Sequence, residues 1–354
     1  MKKVILLAPV PPPYGGIATW MDRFVNTTEK QGWEIVVVDE QVSEKRGLFG
    51  NSKRNYLDEW KRCRRIWKDL RKALRDKEAL IVHANIPTTT FAMLREYVCA
   101  MTTKLAGRKF ILHIHCAPQN MRSGKLWDAV MKKFCALCDG IIVLNTPAEN
   151  FVKNYTKKKV QYIPNFVKEE EVITTDKHIA EKVEKVLYVG GGVASKGCRE
   201  FIDAAAEFPE IEFRICGNCS DEIKQYRKLK KADNVTLCGV KNKEGVQKEL
   251  TEADVFMFLS YSEGFSVALT EAMAYGLPCI ATDCGANKDM IEDNGGKVVP
   301  IRDSGAAVEA LKEMLSPKIR REFSEFNIKK VKECYLEKKV VKMYFDFYDD
   351  ILCL

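Results

Sequence analysis

Two carboxylates, Glu263 and Glu271, lie eight positions apart in the segment EGFSVALTEAMAYGLPCIATDCG. The apolar run ADVFMFLS before them predicts a buried strand, and residues 268–275 predict a helix that Gly276 and Pro278 end. Glu263 therefore belongs to a loop, and Glu271 lies about one and a half turns inside the helix. Two carboxylates placed in this way can reach different hydroxyl groups of one ligand, whereas a single glutamate at a helix start is more often a solvated side chain.

The start of this helix favours an anionic group. The first N–H groups of a helix have no carbonyl partner within the helix, and the positive end of the helix dipole lies there. Phe265, Ser266 and Val267 stand at that start. The segment therefore predicts a site for a ligand that carries both phosphates and hydroxyls.

A glycine-rich loop, VGGGVASKG, follows another predicted strand. It differs from a dinucleotide-binding fingerprint because Ser195 replaces the third glycine, and because the next strand, EFRICG, lacks a terminal acidic residue for a ribose. It differs from a Walker loop because Gly197 follows Lys196, where serine or threonine is needed. Lys196 is either a phosphate-binding cation or an ordinary surface lysine at a helix start.

A glycine pair, Gly15 and Gly16, follows the first predicted strand and a run of prolines. Glycine lets the backbone approach a ligand closely, although a tight turn without a ligand uses the same residues. We interpret the pair as a ligand-binding loop.

The chain has four histidines. His113 and His115 alternate along one predicted strand and so share a face, and His115 lies at the C-terminal end, where open parallel sheets bind ligands. A metal-binding pair is the competing interpretation, but neither a carboxylate nor a third histidine accompanies the two. We expect His83 to line the same site and His178 to be solvated.

Several segments, in this order and at these separations, resemble the family 4 retaining glycosyltransferases of GT-B fold. The segment APVPPPYGGIATW resembles the family's N-terminal glycine loop, and FILHIHCA resembles its histidine strand. The segment VQYIPNF resembles the family's interdomain turn, and VLYVGGGVASKG resembles its phosphate-binding strand and lysine. The region from Thr236 to Pro300 resembles the donor-binding half of the family, whose E-x7-E signature corresponds to Glu263 and Glu271.

The resemblance implies an α/β protein of two Rossmann-like parallel-sheet domains that face a cleft, with a C-terminal helix that crosses back to the first domain. It implies the catalytic residues His115, Lys196 and Glu263. It implies the donor-binding residues Gly15, Gly16, Gly191, Lys196, Val240, Gly264, Phe265, Ser266, Val267 and Glu271. The family usually has arginine where this chain has Gly191, and Arg199 is a weak substitute for that cation.

The implied reaction is transfer of a sugar from a nucleotide-sugar donor with retention of configuration. No cofactor and no metal are expected, because the sequence contains no Asp-x-Asp and GT-B enzymes do not need the cation that this motif holds. Lys196, the Gly15-Gly16 loop and the helix start at Ser266 would stabilise the leaving group instead. The alternatives are a sugar-nucleotide epimerase of the same fold and a non-catalytic, membrane-associated protein that binds sugar nucleotides.

Length and composition agree with two domains. The chain has 354 residues, of which 46% are hydrophobic and 30% charged, as in globular proteins. Predicted strands alternate with helices, which favours a parallel sheet in each half. We predict an acceptor-binding domain over residues 1–166, a sugar-nucleotide-binding domain over 167–330, and a helical tail over 331–354 that packs on the first domain.

The 13 cysteines are scattered at apolar positions of a large chain, which favours reduced thiols in a cytoplasmic protein over a disulfide framework. Two C-x2-C pairs, Cys135/Cys138 and Cys216/Cys219, have the spacing of zinc ligands. No other ligand-rich segment accompanies them, so we do not expect a zinc site.

Residues 45–77 contain 13 Lys or Arg and four acidic residues. Trp60 and Trp67 are one heptad apart, and Arg64 and Arg71 continue their side of the predicted helix. A basic helix with tryptophans suits an anionic membrane surface, where a lipid-linked glycan acceptor for surface polysaccharide assembly would be found. A solvated basic face and a nucleic-acid surface are the alternatives, but no binding motif supports nucleic acid.

Overall fold

The computed structural model describes residues 1–12, 15–41, 56–173 and 177–353. The chain forms two compact units. Unit 1 comprises Met1–Asn165 and Lys338–Leu354, and unit 2 comprises Phe166–Glu337. The return to unit 1 thus begins at Lys338, whereas we predicted that the tail begins at residue 331.

Unit 1 is built on a six-stranded parallel sheet in the order β2-β1-β3-β4-β5-β6. Its strands are β1 (Lys2–Ala8), β2 (Trp33–Asp39), β3 (Ala79–Ile86), β4 (Lys109–Ile114), β5 (Gly140–Val143) and β6 (Lys159–Tyr162). Most of the residues in β1, β3, β4 and β5 are buried, as expected for central strands covered on both faces.

Helices cover both faces of this sheet. They are α1 (Gly16–Val25), α2 (Tyr56–Ala73), α3 (Thr90–Leu105), α4 (Pro118–Met121), α5 (Lys125–Leu137), α6 (Thr146–Lys153) and the C-terminal α14 (Glu337–Cys353). On one face, α2, α3, α5 and α6 share a hydrophobic core with alternate residues of the strands. On the other face, Phe347 and Ile351 of α14 lie against Gly140 of β5.

Unit 2 contains a second six-stranded parallel sheet, in the order β12-β11-β10-β7-β8-β9. Its strands are β7 (Lys185–Val189), β8 (Glu212–Cys216), β9 (Val235–Gly239), β10 (Val255–Phe258), β11 (Cys279–Thr282) and β12 (Gly296–Val299). Its α-helices are α7 (Cys198–Ala205), α8 (Asp221–Lys230), α9 (Lys243–Glu252), α10 (Val267–Ala274), α11 (Asn287–Ile291), α12 (Ser304–Glu313) and α13 (Pro317–Cys334).

The predicted α/β class and the 11 predicted strands are confirmed. The prediction missed β6, because this four-residue edge strand begins at the last of three consecutive lysines and has only one buried residue. The C-terminal region is helical and consists of two helices, since α13 ends at Cys334 and α14 begins at Glu337. No helix among the described residues is long and apolar enough to cross a membrane.

Candidate functional site

Lys196 lies in the loop that connects β7 to α7. The loop packs against the segment after β8, because Gly192 N–H donates to Asn218 O at 3.0 Å and Ser220 N–H donates to Gly192 O at 2.8 Å. Lys196 ends a short 3-10 turn, and Gly197 follows it with a left-handed φ of 74°. The loop therefore presents Lys196 at the carboxyl edge of the sheet, where open parallel sheets bind ligands.

Only glycine fits at position 197. A Cβ added there would lie 2.0 Å from the carbonyl oxygen of Leu259, and the positive φ is itself unfavourable for other residues. Nearby, Tyr261 N–H donates to Ser195 O at 3.0 Å. The close contact of Gly197 with Leu259 and the hydrogen bond from Tyr261 to Ser195 hold the lysine loop against the loop that follows β10.

That proximity brings Lys196 and Glu263 together. Lys196 Nζ lies 2.6 Å from Glu263 Oε1, and Lys196 is the more exposed of the two side chains. A charge-assisted hydrogen bond of this length orients both groups. The sequence placed these residues on separate motifs 67 positions apart, so their direct contact is a finding of the structure.

The predicted helix after Glu263 is α10, which spans Val267–Ala274 and thus begins one residue earlier than expected. Ser266 is its N-cap, and the hydroxyl of Ser266 accepts from Leu269 N–H at 3.2 Å. Glu271 lies one turn into α10 and is partly exposed. The loop, the cap and the helix therefore place Glu263 and Glu271 on either side of an anion-favouring helix start.

The remaining predicted donor-binding residues of unit 2 also lie near carboxyl ends of its strands. Gly191 O accepts from the hydroxyl of Tyr188 at 3.0 Å, and Val240 follows β9 with an exposed side chain. Gly264 and Phe265 are buried, and the ring of Phe265 packs edge-on against Tyr335 with 5.4 Å between centroids. Phe265 can therefore offer a ligand its backbone rather than its ring.

Arg199 does not point toward the lysine loop. Its guanidinium forms an ion pair with Glu222 at 2.5 Å and lies over the ring of Tyr226 at 5.3 Å. Both partners belong to α8, so the expectation that Arg199 replaces the missing arginine is not supported. A cation that we did not predict, Arg302, lies over the ring of Tyr261 at 4.8 Å.

The glycine pair of unit 1 begins α1. Gly15 is the N-cap, and Thr19 N–H donates to its carbonyl oxygen at 2.8 Å. A Cβ added at Gly15 or Gly16 would meet no atom within 4 Å. Packing within the described residues therefore does not require glycine at either position.

His115 immediately follows β4. His115 Nε2 lies 2.8 Å from Asn85 Oδ1 and 3.1 Å from His113 Nδ1, and the ring meets Trp20 edge-on at 5.3 Å. The two histidines thus share a face, as predicted. Burial lowers the pKa of His115 to about 3, so its imidazole is neutral near pH 7 and can hydrogen-bond without acting as an imidazolium acid.

His83 does not line an open site, because its side chain is fully buried. Its Nδ1 lies 2.5 Å from the hydroxyl of Tyr348 in α14. The pKa of His83 lies well below its usual value, mainly because the ring is buried and to a smaller extent because His115 is nearby. His178 is exposed, as expected.

A polar pocket of about 160 Å³ at the carboxyl ends of β1, β2 and β3 was not predicted. Asn85, the partner of His115, lines it together with buried Glu40 and Arg95, whose Nη2 lies 3.1 Å from Glu40 Oε2. Burial and the nearby Glu96 raise the pKa of Glu40 well above its usual value. An acidic residue directly after the strand segment EIVVVD is the sequence signal that indicates such a group.

The two C-x2-C pairs lie in different units, with Cys135 and Cys138 in unit 1 and Cys216 and Cys219 in unit 2. A different set, Cys216, Cys238 and Glu249, brings three ligand atoms within 4.8 Å of one another. Arg214, however, donates to both carboxylate oxygens of Glu249 at 2.7 Å. Its positive charge disfavours a cation at this cluster.

Comparison with known families agrees with this arrangement. Residues 14–171 match the family model Glycosyltransferase Family 4, and residues 169–330 match Glycosyl transferases group 1. The chain belongs to the group 1, family 4 glycosyltransferases, and the predicted GT-B fold is confirmed.

Known relatives cover most of the chain. The alpha-galactosylglucosyldiacylglycerol synthase of Streptococcus pneumoniae is 25% identical over 306 residues, which are 77% of this chain and 81% of the relative. The sucrose-phosphate synthase of Thermosynechococcus elongatus has a TM-score of 0.83 at 16% identity and 100% coverage of both chains. Anabaena HepE, solved with UDP and glucose, has a TM-score of 0.75 at 14% identity, with 99% and 100% coverage. The two structural likenesses concern the fold alone.

Proposed function

We propose that this glycosyltransferase moves a sugar from a nucleotide-sugar donor to a hydroxyl group of a lipid-linked glycan, with retention and without a metal ion. The observation that carries the proposal is the Lys196–Glu263 pair beside the start of α10. This arrangement offers a cation and a helix N-terminus, which both attract the negative charge of a diphosphate. It also offers carboxylates that accept hydrogen bonds from sugar hydroxyls.

Each group then has a role in transfer. Lys196 and the first N–H groups of α10 bind the donor diphosphate and stabilise the negative charge that develops as it leaves. Glu271 accepts hydrogen bonds from the ribose, and Glu263 from the transferred sugar while it also orients Lys196. The acceptor hydroxyl attacks from the face that the nucleoside diphosphate leaves, which retains the configuration.

Unit 1 supplies His115 and the acceptor side in this proposal. His115 contributes a neutral imidazole, which Asn85 orients at 2.8 Å, to a hydroxyl of the transferred donor sugar. The pocket of Glu40 and Arg95 offers further hydrogen-bonding groups of the kind that hydroxyl-rich ligands use. The product name of the pneumococcal relative, a glycosylated diacylglycerol, supports a lipid-linked acceptor, and surface polysaccharide assembly is the setting that we propose.

We also propose that the basic residues of α2 attract the enzyme to an anionic membrane surface at the cytoplasmic face. Residues 45–55 of the predicted basic segment lie outside the described residues. Within α2, Arg64 lies over Trp60 at 5.7 Å and Arg71 over Trp67 at 4.8 Å. Each arginine thus lies on the same side of α2 as the tryptophan one turn before it, and this pairing supports the proposal.

The first experiment identifies the donor. Thermal unfolding is measured with a panel of nucleoside diphosphates and nucleotide sugars, and the compound that stabilises the protein most is then used for transfer to a lipid-linked glycan. We predict that Lys196→Ala lowers kcat/KM by at least about 30-fold, or about 2 kcal/mol of transition-state stabilisation.

Arg199→Ala is the matched control, because Arg199 is a nearby cation that pairs with Glu222 instead. We expect near-normal transfer by this variant and by the wild type in excess chelator. Loss of activity in chelator that added metal restores contradicts the metal-independent proposal. Donor binding without transfer to any acceptor favours the non-catalytic alternative.

A further inference from the structure

An apolar row runs along the outer face of α3. Leu94, Val98, Met101 and Leu105 are 49%, 51%, 40% and 85% exposed. Their spacing of four, three and four residues keeps them on one side of a helix. The opposite side of α3 packs into the core of unit 1 through Met93, Cys99 and Ala100. The helix is therefore apolar on both its inner and outer faces, which is unusual for a helix that covers a sheet.

This row lies between two other helices of the same layer. On one side, Trp67 Nε1 of α2 donates to Thr102 Oγ1 of α3 at 3.0 Å. On the other side, Tyr97 of α3 meets Phe134 of α5 with 6.4 Å between ring centroids. The apolar row thus occupies the middle of the surface that α2, α3 and α5 form together, which we call the α2–α3–α5 face.

The side of α2 next to this row carries exposed tryptophans. Trp60 and Trp67 are 61% and 38% exposed, and Trp60, Arg64, Trp67 and Arg71 repeat the same four, three, four spacing. The arginines lie over the two rings. Tryptophan with arginine is typical of surfaces at the boundary between lipid head groups and acyl chains.

The exposed charges beside the apolar row are predominantly positive. Helix α2 exposes six cations and one anion, Asp69, and α5 exposes three cations and no anion. The exposed cations are Lys61, Arg64, Arg65, Lys68, Arg71 and Lys72 in α2 and Lys125, Lys132 and Lys133 in α5. Two copies of this face would repel each other, whereas an anionic lipid surface would attract both basic margins.

We infer that the α2–α3–α5 face binds an anionic bilayer with the apolar row of α3 inserted among the acyl chains. The basic margins on α2 and α5 contact lipid phosphates, and the tryptophans lie at the boundary. This inference adds a second membrane-binding element, α3, to the basic helix α2 of the proposed function. The two elements act differently, because insertion of apolar side chains resists salt whereas charge attraction does not. The inference rests on the proposed function only in making the acceptor a lipid at this membrane.

The test is sedimentation with vesicles of phosphatidylglycerol and phosphatidylcholine, without donor or acceptor. The variant is Leu94→Ser/Val98→Ser, and the matched control is Leu229→Ser/Leu315→Ser, which removes two exposed leucines from unit 2. We expect wild type and control to bind anionic vesicles and to retain part of this binding at high salt. The α3 variant loses the salt-resistant part and binds about tenfold more weakly at low salt, the scale of two partly buried side chains.

The inference is overturned if the wild type ignores anionic vesicles, or if the α3 variant with an unchanged melting temperature binds them as the wild type does. Sedimentation velocity without lipid tests whether a second copy of the chain covers this face instead of a bilayer. A wild-type dimer that the α3 substitutions dissociate assigns the face to a second copy and also overturns the inference.

Transfer to a water-soluble acceptor separates this result from the proposed function. We expect the α3 variant to keep that transfer, while Lys196→Ala loses transfer and keeps vesicle binding. Failure of the proposed function therefore leaves the vesicle result intact, and the reverse also holds.

Discussion

The contact between Lys196 and Glu263 connects two motifs that the sequence presents separately. At 2.6 Å the carboxylate holds the ammonium group in place, so less ordering of the lysine side chain is needed when an anionic ligand binds. The carboxylate keeps a second oxygen for a ligand hydroxyl. One residue thus serves both orientation and recognition in the proposed donor site.

We predict different losses for the two glutamates. Glu271→Ala should weaken binding of the nucleoside diphosphate product about tenfold, because it removes a carboxylate from the ribose. Glu263→Ala should lower kcat more than it raises KM, because it removes the partner of Lys196. Calorimetric titration and steady-state kinetics measure the two effects. Unchanged binding and turnover in both variants, with normal melting temperatures, contradict these roles.

Three histidines, of which His83 and His113 are fully buried and His115 is partly buried, make unit 1 sensitive to acid. The pKa of His83, His113 and His115 lies below the ordinary value of 6.5 because burial disfavours the charged ring. A base whose pKa is lowered by folding supplies its full stabilisation above pH 6.5 and loses it as the pH falls toward the folded pKa. The expected loss is about 1.4 kcal/mol per pH unit for each such group.

Urea unfolding between pH 7 and pH 5, followed by tryptophan fluorescence, measures this loss. His83→Asn should unfold with a shallower dependence on pH than the wild type, since one of the three groups is gone. His178→Asn is the control, because His178 is exposed, and it should keep the wild-type slope. Equal slopes for all three proteins are inconsistent with a neutral buried His83.

At the scale of elements, glycine has two different purposes in the strand-to-helix loops. Gly197 is required by packing and by its φ of 74°, since a Cβ would lie 2.0 Å from Leu259 O. Gly16 begins α1 with open space around the position of a Cβ. The first glycine therefore maintains the fold, and the second is available for a ligand.

Gly197→Ala and Gly16→Ala should accordingly separate stability from activity. We expect Gly197→Ala to destabilise the protein by at least about 1 kcal/mol, from the strained φ alone. Gly16→Ala should leave the free energy of unfolding unchanged or slightly higher, because alanine favours helices, and should lower transfer if the loop approaches the donor. Denaturant melts and kinetics of both variants check this, and a stable Gly197→Ala protein would disprove the steric argument.

At the scale of the whole molecule, the last helix completes the first unit. Tyr344, Phe345 and Tyr348 of α14 are fully buried. The hydroxyl of Tyr344 accepts from Trp20 Nε1 at 3.1 Å, and the ring of Phe345 stacks on Phe24 at 5.6 Å. Unit 1 therefore depends on residues more than 300 positions away from its first strand.

Deletion of residues 338–354 should unfold unit 1 and leave unit 2 folded. The deletion exposes a large aromatic surface and leaves His83 without the Tyr348 hydroxyl. The resulting loss of stability is larger than the free energy of unfolding of a typical domain. Limited proteolysis should then cleave within residues 1–165 and spare 166–337. Tyr344→Phe, which keeps the ring and removes one hydrogen bond, should remain protected in both units. Protection of the deleted protein within residues 1–165 would contradict this view.

The sequence by itself determined the elements and their order. Continuous apolar runs predicted the central strands. The breaker residues Gly276 and Pro278 placed the end of α10 within one residue of its observed position, because local sterics and hydrogen bonding decide these features. The resemblance of the ordered motifs gave the family. The edge strand β6 was not predicted, because pairing with β5, rather than its own composition, makes it a strand.

Tertiary structure decided which side chains meet. The Lys196–Glu263 pair, the turn of Arg199 toward α8, the burial of His83 beneath α14 and the pocket of Glu40 all depend on contacts between segments far apart in the chain. The apolar row of α3 has the periodicity of a core face, so sequence alone could not distinguish it from the side that packs on the sheet. Only the position of α3 within its layer shows that one apolar face is covered and the other is exposed, because burial is a property of neighbours rather than of residue type.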